Sequence, residues 1–127
     1  MKIDHMAMYV TDIEHTKEFF VKFFEAKAGN KYYNQNTGFQ SYFLTFEDGA
    51  RLEIMTKQHL LELSKDPLRT GYAHLAFSVG NMERVNALTA RLQAEGYEVL
   101  SGPRTTGDGY FESCIVGIEG NLIEITV

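Results

Sequence analysis

The chain has 127 residues, of which 44% are hydrophobic, and its formal net charge is −5. A chain of this length forms one compact domain, and its longest apolar run is far short of the roughly 20 residues that a membrane span requires. No basic cluster is present that would follow a nucleic-acid backbone. We therefore expect a soluble domain that binds neither membranes nor nucleic acid. No signal-peptide pattern precedes the first strand, which favours a cytoplasmic location.

The first half of the sequence predicts a strand, a helix and three more strands. Residues 3–10 are β-prone and predict a strand, with His5, Ala7 and Tyr9 on one face and Met6, Met8 and Val10 on the other. Thr11 or Asp12 is a candidate helix cap, and Glu14 could complete a capping box with Thr11. Five apolar residues at helical spacing predict a helix that ends near Gly29, namely Ile13, Phe19, Phe20, Phe23 and Phe24. The remaining strands are predicted at 30–36, 39–47 and 50–56.

The second half repeats this order after a connector. Residues 57–70 form the connector, in which three leucines predict a short helix that ends before Pro67. A strand at 72–79 and a cap at Asn81 follow, and a helix with a stripe of Met82, Val85, Leu88 and Leu92 then stops at Gly96. Further strands are predicted at 97–102, 109–117 and 121–127.

The two halves also resemble each other residue by residue. Residues 5–14 return in edited form as residues 74–83, and residues 48–54 return as residues 119–125. The sequence therefore predicts a single α+β domain over 1–127, with module one at 1–56 and module two at 71–127. Two tandem βαβββ modules of this kind would form a curved mixed sheet around a cleft.

Each module opens on a histidine and closes on a glutamate. Strand alternation places these side chains on the sheet face opposite the helices, where the other module could enclose them. A bound cation would remove the cost of burying two carboxylates, so we expect a divalent metal there. The predicted ligands are His5, Glu53, His74 and Glu124. Hydrogen-bonded structural histidines and solvated glutamates are the alternative interpretation.

Other candidate residues have simpler explanations. His15 and His59 have no partners at matching spacing and are predicted to be exposed helix residues. Cys114 is the only cysteine, which excludes an internal disulfide, and its apolar neighbours predict a buried structural thiol. Four more residues share the predicted ligand face and could line the cleft: Tyr9, Met55, Ser78 and Thr126.

The chain resembles the vicinal oxygen chelate superfamily, which includes glyoxalase I, bleomycin-resistance proteins and extradiol dioxygenases. The likeness lies in His5 at the start of strand one, Leu52–Ile54, His74–Phe77 and the closing Gly120–Ile125. In that family, paired βαβββ modules form a cleft that holds a divalent metal. A His-Glu-His-Glu set most resembles glyoxalase I of the short bacterial type.

This resemblance implies a metal-dependent lyase or isomerase of the glyoxalase type. It implies nickel or zinc as the cofactor, with cobalt, manganese or iron as other possibilities, and Glu124 or Glu53 as the base. The substrate would be a small α-hydroxycarbonyl compound or a thiol adduct, converted through an enediolate. It also implies a homodimer, since relatives often pair modules between chains.

The sequence departs from glyoxalase I where that enzyme grips glutathione. Tyr9 stands where an arginine is typical, and Met55–Lys57 replaces an expected asparagine, although Arg51, Lys57 or Arg104 could substitute. Two other functions remain open. One is a two-histidine, one-carboxylate iron site that activates oxygen, and the other is a protein that binds or sequesters a small molecule or antibiotic.

Overall fold

The computed structural model describes all of residues 1–127, which divide into two compact units, Met1–Leu63 (unit 1) and Ser64–Val127 (unit 2). Both units combine one α-helix with one mixed sheet, which confirms the predicted α+β class. Unit 1 contains β1 (His5–Tyr9), α1 (Ile13–Phe24), β2 (Lys27–Ala28), β3 (Tyr32–Tyr33), β4 (Gln40–Thr45) and β5 (Arg51–Thr56). Unit 2 contains β6 (His74–Ser78), α2 (Met82–Ala94), β7 (Glu98–Thr105), β8 (Phe111–Val116), a 3₁₀ turn (Ile118–Gly120) and β9 (Leu122–Thr126).

The two sheets have the same strand arrangement. Unit 1 has the order β1-β5-β4-β2, with β3 also paired to β4, and unit 2 has the order β6-β9-β8-β7. The first and last strands of each unit run parallel, and the other pairs are antiparallel. Ala7 pairs with Glu53 in unit 1, and Ala76 pairs with Glu124 at the equivalent place in unit 2. The internal repeat seen in the sequence is therefore a repeat of structure.

The core of unit 1 forms where α1 covers its sheet. All five residues of the predicted apolar stripe are buried, and they share the core with Leu44, Leu52 and Ile54. Asp12 is the cap, because its side chain accepts a hydrogen bond from the backbone N–H of His15. The helix ends at Phe24, earlier than predicted, because Glu25 adopts a left-handed conformation with φ of 56°.

The core of unit 2 is built in the same way. Asn81 caps α2 as predicted, by accepting from the backbone N–H of Arg84. Val85 and Leu92 are buried on α2, which contacts β7, β8 and β9, whereas Met82 is half exposed and does not belong to the core. A buried hydrogen bond of 2.6 Å between Thr89 and Ser113 ties the helix to the sheet. The sheet contributes Ile115, Ile123 and Ile125 to this core.

Two predictions about elements are wrong. Of the strand predicted at 30–36 only two residues form a strand, β3, and a second two-residue strand, β2, precedes the predicted range. The connector contains no helix, because His59 takes a positive φ of 61° and Leu61 and Leu63 remain exposed. Without a packed apolar face, so short a segment does not offset the cost of nucleating a helix. Neither α-helix of the protein is long and apolar enough to cross a bilayer.

Candidate functional site

The predicted ligand of β1 lies on the sheet face that α1 does not cover. His5, Ala7 and Tyr9 are exposed, whereas the intervening Met6 and Met8 are partly buried. On the neighbouring strand, Glu53 is half buried between the buried residues Leu52 and Ile54. The alternation expected from the sequence is therefore present in both strands, and it places His5 and Glu53 on the same face.

Unit 2 repeats this arrangement and brings its pair into direct proximity. His74 is exposed on β6, and Glu124 is half buried between Ile123 and Ile125 on β9. His74 Nε2 lies 3.5 Å from Glu124 Oε2. A ring nitrogen and a carboxylate oxygen thus face each other within one unit, as two ligands of one ion would.

In unit 1 the histidine instead contacts a residue that the sequence did not single out. Asp4 Oδ2 lies 2.9 Å from His5 Nδ1, and the same oxygen accepts a hydrogen bond from Arg51 Nη2 at 2.5 Å. The hydrogen bonds from His5 and Arg51 lower the pKa of Asp4. Strand alternation would have assigned Asp4 to the other face, but Asp4 precedes the strand, where alternation carries no information.

Phe43 completes this group on the side of β4. The guanidinium of Arg51 lies 4.5 Å from the Phe43 ring centroid. The His5 ring meets the same phenyl ring in a T-shaped arrangement, with the centroids 5.5 Å apart. Arg51 is therefore already paired with a carboxylate and packed on an aromatic ring.

The equivalent face of unit 2 carries Glu112 and Cys114 on β8. Cys114 pairs with Glu124 across the antiparallel strands, and Glu112 lies two residues away on the same face. Burial and the nearby Glu124 charge raise the pKa of Glu112, and burial together with both carboxylates raises the pKa of Cys114. Cys114 is only partly buried, so the prediction of a buried thiol is wrong, but its raised pKa opposes a role as a nucleophile. The pairing of β8 with β9 places Glu112 and Cys114 beside Glu124. No spacing in the sequence predicts this placement.

Unit 1 also has an open polar pocket of about 290 Å³ near the ends of β1 and β5. Lys57, at its edge, places its ammonium group 5.0 Å from the centroid of the Tyr9 ring. The pocket is lined by Thr11, Tyr33, Gly38, Gln40, Thr56, Lys57 and Gln58. The remaining histidines lie outside these groups. His15 is exposed on α1 as predicted, whereas His59 is exposed in a turn and not in a helix.

In each unit the His and Glu pair has donor atoms that suit a divalent cation. The structure contains no group of three or more His, Cys, Asp or Glu side chains arranged to hold a metal ion. Each unit offers one imidazole nitrogen and one carboxylate oxygen on the same face, and both suit zinc or nickel. Each pair supplies two of the four predicted metal ligands. That all four bind one ion remains a prediction.

Comparison with known proteins agrees with this architecture. A Bacillus cereus glyoxalase family protein has a TM-score of 0.84 at 16% identity, with 99% of this chain and 93% of that chain covered. The trypanothione-dependent glyoxalase I of Leishmania major has a TM-score of 0.78 at 17% identity, covering 99% and 86%. The uncharacterized Bacillus subtilis protein YqjT is 27% identical over 114 residues, 84% of each chain.

The structural likenesses, at these identities, concern the fold alone. The family itself is shown by a sequence model that matches residues 2–125, nearly the whole chain. The chain therefore belongs to the Glyoxalase/Bleomycin resistance protein/Dioxygenase superfamily.

Proposed function

We propose that the protein is a metal-dependent lyase or isomerase of the glyoxalase type, acting on a small α-hydroxycarbonyl compound or a thiol adduct. The observation that carries this proposal is the repeated His and Glu pair, which has the same strand register on the helix-free face of both units. A sequestering protein of this fold would have no need for such a donor pair, and the presence of two pairs favours catalysis.

His5, Glu53, His74 and Glu124 would hold the metal, with nickel or zinc as the preferred ion. A divalent cation held there would supply Lewis-acid stabilisation of the negative charge that develops on the substrate oxygens. Four protein donors would also leave less room for oxygen activation than a two-histidine, one-carboxylate iron site requires. The proposal therefore favours isomerisation over oxygenation.

The glutamates would move the proton. In an α-hydroxycarbonyl substrate, Glu124 or Glu53 would take the proton from the carbon next to the carbonyl, which leaves the electron pair in an enediolate. The same carboxyl group would then return the proton to the neighbouring carbon, while the hydroxyl proton passes to the former carbonyl oxygen, so that no net oxidation occurs. Glu124 is a suitable candidate because its side chain is only 20% exposed and lies beside His74.

The cationic side chains that could bind a substrate carboxylate limit the class of substrate. Arg51 is already paired with Asp4, so its guanidinium is less available to a substrate carboxylate. Lys57 lies next to the polar pocket of unit 1 and is free to meet a substrate carboxylate. Tyr9, beside Lys57, stands where glyoxalase I typically has an arginine for glutathione. Because that arginine is missing, we propose that the substrate need not be a glutathione adduct. A homodimer and a cytoplasmic location complete the proposal.

Metal analysis tests the proposal. Protein purified without chelator should carry or take up nickel or zinc, and His74→Ala or Glu124→Gln should lower the affinity sharply while the circular dichroism spectrum is retained. His15→Ala, which removes an exposed histidine from α1, is the matched control and should bind as the wild type does. Equal stoichiometry and affinity in all these proteins would contradict ligation.

Solvent exchange tests the proton transfer. In deuterium oxide, the metal-loaded enzyme should incorporate deuterium at the carbon next to the carbonyl of a substrate that it turns over, and Glu124→Gln together with Glu53→Gln should abolish this incorporation. Failure to convert the methylglyoxal–glutathione adduct would exclude lactoylglutathione lyase activity alone. An iron-loaded protein that consumes oxygen would instead favour the dioxygenase alternative.

A further inference from the structure

We infer that Asp4 is a positioning residue that holds the His5 imidazole in the tautomer with its proton on Nδ1 and so reserves Nε2 for a metal ion. This inference deepens the proposed function and rests on it, because His5 matters here as a ligand. It concerns the ring of His5 itself, which can be observed without any metal.

The direction of the hydrogen bond fixes the tautomer. An ionised carboxylate is only an acceptor, so the 2.9 Å contact between Asp4 Oδ2 and His5 Nδ1 is a hydrogen bond only if Nδ1 carries the proton. In the neutral imidazole, the lone pair is then on Nε2. A carboxylate behind a metal-binding histidine has this same arrangement, in which it orients the ring and increases the basicity of the ligand nitrogen.

Arg51 and Phe43 keep Asp4 in place. The pairing of β1 with β5 sets Arg51 beside His5, and Arg51 donates to the same Asp4 oxygen that His5 uses. Phe43 contacts both the His5 ring and the Arg51 guanidinium. Asp4 and His5 are each partly exposed, so the bond alone is weak, and these additional contacts restrict where the carboxylate can turn.

The second repeat provides an internal comparison, because it lacks this support. The residue before His74 is Ala73, the strand partner of His74 is Leu122, and the residue across from Glu124 is Cys114. These are the equivalents of Asp4, Arg51 and Phe43. His5 therefore has a carboxylate partner on Nδ1, whereas His74 lies 3.5 Å from Glu124 through Nε2.

The tautomers can be read directly by long-range ¹H–¹⁵N NMR of the metal-free protein, at a pH where the imidazoles are neutral. We expect Nδ1–H to dominate at His5 in the wild type. In Asp4→Ala the ratio of Nδ1–H to Nε2–H should fall by about threefold or more, because the variant loses the free-energy contribution of one exposed hydrogen bond to a charged group. The His74 signals should not move, and Asp4→Asn, which keeps an acceptor oxygen, should restore part of the ratio.

Two controls separate positioning from general disturbance. Asp48→Ala removes another exposed aspartate, in the turn before β5, and should leave the His5 ratio unchanged. Arg51→Leu installs the residue that the second repeat carries; because Asp4 remains but is held less firmly, the ratio should fall by less than it does in Asp4→Ala. A wild-type His5 dominated by Nε2–H, or an unchanged ratio in Asp4→Ala, would overturn the inference.

Metal titration then links the tautomer to the proposed site. Asp4→Ala should weaken nickel binding by about 10-fold to 100-fold, as loss of a carboxylate behind a histidine ligand does. If the wild type binds neither nickel nor zinc, the proposed function fails, whereas the tautomer ratios of the metal-free protein decide the inference independently. Wild-type nickel affinity in Asp4→Ala would contradict the positioning role.

Discussion

Glu14 shows how one carboxylate can organise the start of a helix. Its oxygens accept hydrogen bonds from Lys17 at 2.7 Å, from Lys31 at 3.0 Å and from the Tyr42 hydroxyl at 3.0 Å. The hydrogen bonds from Lys17 and Lys31 lower the pKa of Glu14 to about 2. The sequence offered Thr11 or Asp12 as the cap, and the structure selects Asp12, so Glu14 does not complete a capping box with Thr11 but links α1 to β4 and residue 31. Sequence spacing could suggest Lys17, three residues along the helix, but not Lys31 or Tyr42, which only the folded chain brings there.

Replacing Glu14 by glutamine should lower the free energy of unfolding by up to about 1 kcal/mol at neutral pH, a small value because the side chain is 46% exposed. The pKa of the folded state lies below the ordinary value of 4.5, so this stabilisation is fully present above pH 4.5 and is lost as the pH falls towards about 2. Urea titrations of both proteins at neutral and acidic pH would measure it.

The repeat supplies the control for this prediction. Glu83 occupies the equivalent position in the first turn of α2 and is exposed, so Glu83→Gln removes the same favourable interaction with the helix dipole. Its effect should be smaller than that of Glu14→Gln. A difference between Glu14→Gln and wild type that does not change with pH would contradict the assigned role of the charge.

At the scale of elements, the sequence predicted most of the fold because long elements have strong periodic patterns. The α1 stripe, the Asn81 cap and the alternation in β1 and β6 were all confirmed. The failures are short elements whose conformation depends on neighbours. Strands β2 and β3 have two residues each and exist only because β4 offers them hydrogen-bonding partners. The connector leucines favoured a helix locally, but Leu61 and Leu63 remain exposed, so no packed apolar face stabilises a helix there.

Strand β7 contains a glycine whose backbone no other residue can adopt easily. Gly102 has a φ of 79°, at a register shift between β7 and β8. A Cβ there would lie 2.9 Å from Ser113 Cα and even closer to the Glu112 carbonyl oxygen. Both obstacles are backbone atoms, so they cannot turn away as a side chain could.

We expect Gly102→Ala to lower the free energy of unfolding by about 2 to 4 kcal/mol, from the left-handed strain and the backbone clash together. Gly107→Ala is the matched control, because a Cβ at Gly107 meets nothing within 4 Å, and it should change stability by no more than about 0.5 kcal/mol. Denaturant midpoints would compare the two. Equal midpoints would show that β7 and β8 can separate without cost.

At the scale of the whole molecule, the internal duplication allowed the four predicted ligands to be found from the sequence. Residues that differ between the two copies could not be found in this way. The repeated His and Glu positions could be found because both copies retain them in the same register. Asp4 and Glu112 could not, since neither has an equivalent acid in the other repeat, where Ala73 and Ser41 stand. The repeat in the sequence predicts the residues that the two copies share. The contacts that differ between the copies become known only from the structure.

Metal binding should connect the two copies energetically. If His5, Glu53, His74 and Glu124 hold one ion, an ion concentration of 100 times Kd should raise the free energy of unfolding by about 2.7 kcal/mol, because only the folded chain presents the four donors together. Thermal unfolding with increasing nickel would measure the gain. His5→Ala and His74→Ala should each lose most of it, although they lie in different units.

The pattern of loss distinguishes a shared ion from separate weak sites. Two independent sites, one in each unit, would leave each single variant with the stabilisation supplied by the intact pair, and only the double variant would lose everything. A shared ion makes the single variants nearly as defective as the double variant, because the effects of residues on one ligand are not additive. His15→Ala should retain the full gain. Additive losses in the two single variants would therefore refute a four-residue site, even if the protein binds nickel.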